Sequence, residues 1–290
     1  MTPYTTLIGP DELGRLLDGA SLPMVLLDCG FDLANADAGK QAWQAGHLPG
    51  ARYAHLEDNL AGPTQAQGPR SPMFTGRHPL PDRAAFARQV GAWGVKADTQ
   101  VVTYDDQGGP YAARAWWMLR WLGHEAVAVL DGGKSAWLAH GGTLEVEQPV
   151  AFAQSAYPAS PEPGMPTLSA PELASRLGRL RLIDARAGER WRGEVEPLDP
   201  VAGHIPGSTL RFFKDNLLPD GRCKPAAQLR AEFEALGVGP WVPTVHQCGS
   251  GVTACHNLLA MAHAGLGDSE LYPGSWSEWC ADPSRPVARA

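Results

Sequence analysis

The sequence predicts an α/β protein of two domains, each a parallel sheet covered by helices. Three observations predict this fold class. The 290 residues amount to about twice the length of a typical domain. Short apolar strand segments alternate with helical segments, which is the pattern of parallel sheets. Finally, one set of sequence landmarks occurs twice in the same order, which indicates a duplication.

The repeated landmarks are four short patterns. They are a helix start with an early proline, an apolar strand that ends on aspartate, a Gly-His-(Leu/Ile)-Pro-Gly segment, and a glycine followed five residues later by tryptophan. In the two copies they are Leu7–Asp11 and Leu168–Glu172, Leu26–Asp28 and Leu182–Asp184, Gly46–Gly50 and Gly203–Gly207, and Gly132 to Trp137 and Gly274 to Trp279. Ser169 and Glu172 also fit a capping box at the second helix start.

A proline-rich stretch separates the two copies. The segment 148–166 contains five prolines, which suits an extended linker better than a helix. The predicted domains are therefore 1–147 and 167–290. Within them, strands are predicted at Met24–Leu27, Gln100–Tyr104, Ala126–Leu130, Arg181–Asp184 and Thr244–Gln247, and helices at Asp82–Trp93, Ala112–Leu122, Ala226–Leu236 and Val252–Ala264.

Composition excludes several classes of function. The net charge of −7 comes from 24 basic and 31 acidic residues without long runs, so no surface for nucleic acid is expected. The longest apolar stretch is far shorter than the roughly 20 residues of a membrane span. The first residues show neither the basic nor the apolar part of a secretory signal. A cytoplasmic protein that does not associate with membranes is expected.

The five cysteines are too few and too odd in number for a disulfide framework, so reduced thiols are expected. Only Cys248 stands at a junction between a predicted strand and a predicted helix. The segment Cys248-Gly249-Ser250-Gly251-Val252-Thr253 allows a curled backbone, and the helix that follows adds its positive end. Both features stabilise a thiolate or a persulfide anion.

This segment resembles the active-site loop of 3-mercaptopyruvate sulfurtransferases, and the doubled landmarks resemble tandem rhodanese domains. The resemblance covers nearly the whole chain. It implies two rhodanese-like domains and a sulfurtransferase in which Cys248 carries the sulfur as a persulfide. Thiosulfate-preferring relatives typically carry Arg-Lys where this chain has Gly249-Ser250. The resemblance therefore favours 3-mercaptopyruvate as donor, with thiosulfate as the alternative.

The resemblance also implies a proton relay. Ser250 and His78 match the serine and the histidine of the family, and a histidine is suited to relay protons near neutral pH. The family's aspartate falls on Glu57, which is a departure from the pattern. The second copy is implied to be the catalytic one, because Asp105 stands in the first copy where the cysteine would be. The first copy is expected to contribute side chains such as Tyr111.

Binding of the donor requires fixed positive charge. Arg190 matches the family's first substrate arginine, and Arg192 is a candidate beside it. The second arginine of the family usually follows a Glu-Pro pair, but Leu198 occupies that position here. The loop residues Gly249, Gly251, Val252 and Thr253 complete the predicted substrate site. The recurring His47 and His204 are expected to be structural, since one of them lies in the copy without a cysteine.

Three other functions are considered. A cysteine phosphatase needs an arginine six positions after the nucleophile, where this chain has Ala254. A zinc site of His246, Cys248, Cys255 and His256 lacks a Cys-x-x-Cys spacing. A non-catalytic binding module is disfavoured by the intact cysteine loop. No metal or cofactor is expected; the expected partners are a small-molecule sulfur donor and an acceptor, either a thiol such as thioredoxin or a small thiol, or cyanide.

Overall fold

The chain is divided into two units in a computed structural model, which describes residues 2–19, 23–63, 71, 74–149 and 156–290. The first unit consists of Met1–Leu60, Pro81–Gly164 and Leu217–Cys223, and the second of Ala61–Leu80, Met165–Asn216 and Lys224–Ala290. Each unit consists of several chain segments, whereas each domain predicted from the sequence is one continuous segment. The segment Ala61–Leu80, which contains His78, belongs to the second unit. Residues 150–155 of the predicted linker lie outside the described residues.

Five parallel strands form the sheet of the first unit. In chain order they are β1 (Leu7–Ile8), β2 (Met24–Asp28), β3 (Arg52–Tyr53), β4 (Gln100–Tyr104) and β5 (Val127–Leu130), and across the sheet the order is β1-β5-β4-β2-β3. The central strands β2 and β4 pair with Leu26 opposite Val102. Every residue of β4 and all of β2 except Met24 are buried, as expected where helices cover both faces of a parallel sheet. The predicted parallel sheet is confirmed.

The helices of the first unit are α1 (Pro10–Gly19), α2 (Ala38–Ala45), α3 (Leu56–Asn59), α4 (Arg83–Ala92), α5 (Pro110–Trp121) and α6 (Gly133–Ala139). Helix α5 begins two residues earlier than predicted, since the fixed φ of Pro110 suits the first helical position. Leu26, Val102, Ala128 and Trp137 pack together in the core. The tryptophan of the repeated landmark is therefore a core residue.

The second unit repeats the arrangement of the first. Its strands β6 (Arg181–Asp184), β7 (Ser208–Leu210), β8 (Thr244–Gln247) and β9 (Glu270–Leu271) are parallel in the order β7-β6-β8-β9. Its helices are α7 (Ala170–Arg176), α8 (Gly188–Arg192), α9 (Ala226–Ala235), α10 (Thr253–His263) and α11 (Ser275–Trp279), with a 3-10 helix at Phe213–Asn216. Thr167 bridges Leu271 in parallel, at the position that β1 has in the first sheet. No helix within the described residues combines the length and apolar character needed to cross a membrane.

The recurring histidines have the same surroundings in both units. His47 stacks on Trp43 with ring centroids 4.6 Å apart, and its Nδ1 lies 2.8 Å from the Trp43 carbonyl oxygen. His204 stacks on Trp191 at 4.1 Å, with Nδ1 2.7 Å from the carbonyl oxygen of that residue. Each histidine also forms an antiparallel bridge, with Glu145 and with Ala288 respectively. These contacts lock the segment that precedes β3 or β7, in agreement with the expected structural role. The predicted capping box is present as well, with the N–H of Ser169 donating to Glu172.

Candidate active site

Cys248 lies at the carboxyl end of β8, the strand between β6 and β9. The four residues of β8 are all buried, so the sheet fixes the point at which the chain leaves it. Four loop residues, 249–252, then lead into α10, whose eleven residues begin at Thr253. Cys248 itself is only 2% exposed. The predicted junction between strand and helix is therefore the position of the thiol.

The loop after Cys248 is held by α11 and the turn before it. The carbonyl groups of Cys248 and Gly249 accept hydrogen bonds from the N–H groups of Trp276 and Ser277, both at 3.0 Å. The N–H of Cys248 donates to Oγ of Ser275 at 3.1 Å. Gly251 has φ +77°, and a Cβ atom there would lie 2.5 Å from the carbonyl oxygen of Pro273. A glycine is therefore required at this position by both conformation and space.

Several backbone donors of the loop remain open. The N–H groups of Gly249, Ser250 and Val252 donate to no acceptor within the described residues. They stand at the amino end of α10, where the helix dipole adds positive potential. The combination favours an anion at this loop.

The corresponding loop of the first unit is filled by a carboxylate of its own. Asp105 follows β4, and its two carboxylate oxygens accept hydrogen bonds from four backbone N–H groups at 2.8–3.0 Å. The donors are Gln107, Gly109, Tyr111 and Ala112. Burial raises the pKa of the Asp105 carboxyl, and these hydrogen bonds act in the opposite direction. Counted from the strand end, Gln107 and Gly109 correspond to Ser250 and Val252, so the Asp105 carboxyl group satisfies two of the backbone donors whose counterparts are open in the second unit.

His78 contacts the Cys248 loop directly. Its Nδ1 lies 2.7 Å from Oγ of Ser250, and both side chains are buried. The segment that carries His78 is fixed against the turn before α11: a Cβ atom on Gly76 would lie 2.7 Å from the carbonyl oxygen of Gly274, and φ at Gly76 is +104°. The predicted serine and histidine are thus within hydrogen-bonding distance in the second unit.

Two arginines lie over Gly249. A Cβ atom on this glycine would be 3.1 Å from Nη2 of Arg77 and 3.4 Å from Nη1 of Arg190. Arg190, in α8, binds Glu196 at 2.6 Å and one oxygen of Asp199 at 3.3 Å, and Arg77 binds the other oxygen of Asp199. Burial raises the pKa of the Asp199 carboxyl, and Arg77 and Arg190 counteract that shift. The absence of a side chain at Gly249 leaves room for both guanidinium groups beside the cysteine.

Known proteins resemble this chain over most of its length. A model of the rhodanese-like domain matches residues 9–140. A probable 3-mercaptopyruvate sulfurtransferase from Pseudomonas aeruginosa is 48% identical over 269 residues, which covers 91% of this chain and 92% of the relative. A putative thiosulfate sulfurtransferase from Mycobacterium tuberculosis is 39% identical over 294 residues, covering 98% and 96%. The crystal structure of a 3-mercaptopyruvate sulfotransferase from Escherichia coli matches with a TM-score of 0.78 at 32% identity, over 95% of this chain and all of that one.

The chain belongs to the rhodanese family of sulfurtransferases. Its two sheets covered by helices are the rhodanese fold, as the sequence resemblance implies. An enzyme of this family takes sulfur from a donor and passes it to an acceptor. The cysteine phosphatase and the non-catalytic module considered above are thereby set aside.

The other arginines near Arg190 are engaged elsewhere. Arg186 forms a fully buried ion pair with Asp184 at 2.9 Å and lies 4.8 Å from the ring centre of Trp276. Arg192 is half exposed and binds Glu194 through two hydrogen bonds, at 2.7 and 3.0 Å. These contacts give no support to the substrate-binding role predicted for Arg192. The physical reason is helical geometry, since two residues along a helix turn the side chain by about 200°.

Three thiols of this sulfurtransferase are held in the protonated form. Burial raises the pKa of Cys29 far above its ordinary value, that of Cys223 to about 12 and that of Cys280 to about 11. Cys255, in α10, is buried and its Sγ lies 3.3 Å from the carbonyl oxygen of Gly251. These environments suit structural thiols.

The residues of the zinc alternative have other surroundings. The Nε2 of His246 lies 3.0 Å from Sδ of Met261, and burial lowers the pKa of this histidine to about 3. The Nδ1 of His256 lies 3.2 Å from Nδ2 of Asn216. Across the described residues, no three side chains of His, Cys, Asp or Glu are grouped so that they could hold a metal ion.

Two predicted site residues belong to the first unit. Glu57 is exposed in the first turn of α3. Tyr111 is in the first turn of α5, where its ring meets Phe31 edge-to-face at 5.7 Å and burial raises its pKa to about 12. Their parts in catalysis stay predictions.

Sequence reasoning missed Arg77, Asp199 and Ser275. The pattern around Arg77 is a short polar segment with no periodicity, and its neighbours in space lie about 120 to 200 positions away in the chain. The one available signal was the charged residue immediately before His78, which the family resemblance had already singled out.

Proposed function

We propose that the protein transfers sulfur from 3-mercaptopyruvate through a persulfide on Cys248. The observation that carries the proposal is the pair formed by Ser250 and His78, 2.7 Å apart in the loop that begins at Cys248. A serine with a hydrogen-bonded histidine can move a proton, which this donor requires. The relative named a probable 3-mercaptopyruvate sulfurtransferase supports the same donor.

The first half-reaction begins with the thiolate of Cys248. The Sγ atom attacks the sulfur of the donor, an S–S bond forms, and the bond between that sulfur and C3 breaks. The electron pair of the broken bond remains on the organic fragment as the enolate of pyruvate. Ser250 and His78 take up the proton of the donor thiol and return it to C3, which releases pyruvate and leaves a persulfide anion. The open N–H groups of the loop stabilise that anion.

In the second half-reaction an acceptor removes the outer sulfur. A thiol such as thioredoxin or a small thiol, or cyanide, attacks the terminal sulfur of the persulfide and regenerates the Cys248 thiolate. Glu57 is proposed as the third member of the relay, and Tyr111 as a contribution of the first unit to donor binding. The proposed location is the cytoplasm.

Thiosulfate is the second candidate donor. It is favoured by the loss of the second family arginine at Leu198 and by the relative named a putative thiosulfate sulfurtransferase. It is disfavoured by the glycine and serine at positions 249 and 250, because thiosulfate-preferring relatives carry two cations there.

Mass spectrometry tests the proposal. After incubation with 3-mercaptopyruvate and removal of small molecules, the Cys248 peptide should carry one additional sulfur atom, and one equivalent of pyruvate should be released. Cys248→Ser should give neither product, whereas Cys255→Ser should behave like the wild type. Absence of the adduct on Cys248 would refute the persulfide, and a kcat/KM that is higher with thiosulfate would replace the proposed donor.

A further inference from the structure

Arg77 and Arg190 both bind the carboxylate of Asp199, each through a different oxygen atom. Arg77 binds Oδ1 of Asp199 through Nη1, and Arg190 binds Oδ2 through Nη2. The Asp199 side chain is 3% exposed, so the two arginines meet at a buried carboxylate. The opposite edges of the two guanidinium groups, Nη2 of Arg77 and Nη1 of Arg190, both point at Gly249. Neither of these two nitrogens has a hydrogen-bond partner within the described residues.

We propose that Arg77 is the second carboxylate-binding residue for the sulfur donor and acts together with Arg190. This inference rests on the proposed function. It identifies the residue that replaces the second substrate arginine of the family, whose position is occupied by Leu198 in this chain. Leu198 is 42% exposed and apolar, and its backbone N–H donates to Glu196, so it offers nothing to an anion. Arg77 supplies the missing charge from a different part of the chain.

The position of Arg77 is fixed before any donor arrives. Its backbone N–H donates to Oγ of Ser277 at 3.1 Å, and Gly76 packs against Gly274 immediately before it. Its side chain is 25% exposed, and Asp199 holds the Nη1 edge of its guanidinium group. A planar guanidinium held in this way presents donors in a defined direction, which is what recognition of a carboxylate requires.

The arrangement also explains why position 249 is a glycine in this chain. Where thiosulfate-preferring relatives place cations on the loop itself, this loop has no side chain at 249, and the cations come from Arg77 and Arg190 above it. Two fixed guanidinium groups beside Cys248 suit a donor whose carboxylate is separated from its sulfur by carbon atoms. A small 2-oxo acid with a thiol is such a donor.

Kinetics with two donors provide the first test. We expect Arg77→Ala to raise KM for 3-mercaptopyruvate by about 10- to 100-fold, because hydrogen bonds to charged groups contribute on this scale. Arg77→Lys keeps the charge but lacks the planar guanidinium group, so its KM should lie between those of the wild type and Arg77→Ala. The matched control is Arg176→Ala, which removes a half-buried arginine of the same unit that is paired with Glu270, and it should leave KM unchanged.

Alkylation of Cys248 provides a test that needs no sulfur donor. Iodoacetate and iodoacetamide both form an S–C bond to the thiolate and release iodide, but only iodoacetate carries a carboxylate. The ratio of their rate constants at the Cys248 peptide should fall about 10-fold in Arg77→Ala and remain unchanged in Arg176→Ala. The ratio compares two reagents on one protein, so a general loosening of the loop does not imitate the result.

The outcomes separate the two proposals. If the wild type uses 3-mercaptopyruvate but Arg77→Ala leaves KM or the alkylation ratio unchanged, the role of Arg77 is overturned and the proposed function stands. If the wild type does not use 3-mercaptopyruvate, the proposed function fails and the donor role of Arg77 is overturned with it. A fall in the alkylation ratio would then show only that Arg77 attracts carboxylates to Cys248.

Discussion

Ser275 combines a strained backbone with a hydrogen bond from the backbone N–H of Cys248. Its φ is +54°, and among the described residues it is the only one other than glycine with a positive φ. The first unit has Gly133, with φ +61°, at the same distance before the landmark tryptophan. The Oγ of Ser275 accepts a hydrogen bond from the Cys248 N–H at 3.1 Å and donates one to the Tyr272 carbonyl oxygen at 2.9 Å. Strain retained at this point indicates that the hydroxyl is needed there.

The contacts and the backbone conformation of Ser275 determine how two substitutions should change the free energy of unfolding. Loss of both hydrogen bonds costs about 2 kcal/mol of unfolding free energy, at about 1 kcal/mol each. Ser275→Ala loses them and keeps the strain, so we expect a destabilisation of about 2 kcal/mol. Ser275→Gly loses them but relieves about 1–2 kcal/mol of left-handed strain, from which the larger entropy of an unfolded glycine subtracts about 0.4–1 kcal/mol. The glycine variant should therefore be more stable than the alanine variant by about 1 kcal/mol.

Urea unfolding of the wild type and the two variants measures this difference. Ser277 is the matched control, because it is also buried, also bonds two backbone groups through Oγ, and has no positive φ. At Ser277 alanine should be more stable than glycine, which is the usual order in helices. Both Ser275 variants should also lose about 10-fold in kcat/KM, since each removes the anchor of the Cys248 N–H. Equal stability of the two Ser275 variants, or the usual order of alanine above glycine, would refute the reasoning.

Three further predictions concern the same unit. Ser250→Ala should lower kcat with 3-mercaptopyruvate by about 100-fold, because it interrupts the proton path to His78; steady-state assays that show an unchanged kcat would contradict the relay. Gly249→Ala should raise KM for 3-mercaptopyruvate, since the new Cβ would lie 3.1 Å from Nη2 of Arg77; an unchanged KM in the same assay would mean that the donor does not approach across this glycine. The pKa of His246 is about 3 in the folded protein and about 6.5 when unfolded, so the unfolded chain binds the proton first as pH falls. The contribution of His246 to the free energy of unfolding should therefore be fully present above about pH 6.5 and should decrease by about 2 kcal/mol on going to pH 5. Urea unfolding midpoints measured across this pH range test the prediction. His246→Gln should lack this part of the decrease.

Local sequence patterns sufficed for some parts of the site. The apolar strand β8, the glycines after it and the apolar helix α10 are each visible within a few residues, so the junction at Cys248 could be predicted. Arg190 could be proposed because, among the arginines that follow the strand end at Asp184, it matches the family's first substrate arginine. The short strands β1, β3, β7 and β9 could not be predicted, because two or three residues carry no periodicity.

Other parts depend on packing between distant segments. Arg77 reaches the loop because Gly76 and Gly274 pack closely, and no local pattern encodes a contact across 200 residues. Arg192 shows the opposite case: its spacing in sequence suggested a role, but the rotation of α8 directs it to Glu194. Which arginine lies beside Gly249 is therefore a property of tertiary structure, even though the presence of a nearby arginine is visible in the sequence.

The two copies of the domain explain each other. Both contain a loop between a central strand and a helix, and a loop whose backbone N–H groups converge at the amino end of a helix favours an anion. In the first unit the side chain of Asp105 accepts hydrogen bonds from four backbone N–H groups, two in the loop and two in the first turn of α5. In the second unit the residue after the strand is Cys248, and the donors of Gly249, Ser250 and Val252 have no partner among the described residues. The proposed persulfide would extend Cys248 by one sulfur atom and bring a negative charge to this loop. The first copy thus shows, with a fixed carboxylate, the kind of charge that we propose the second copy holds for part of each reaction cycle.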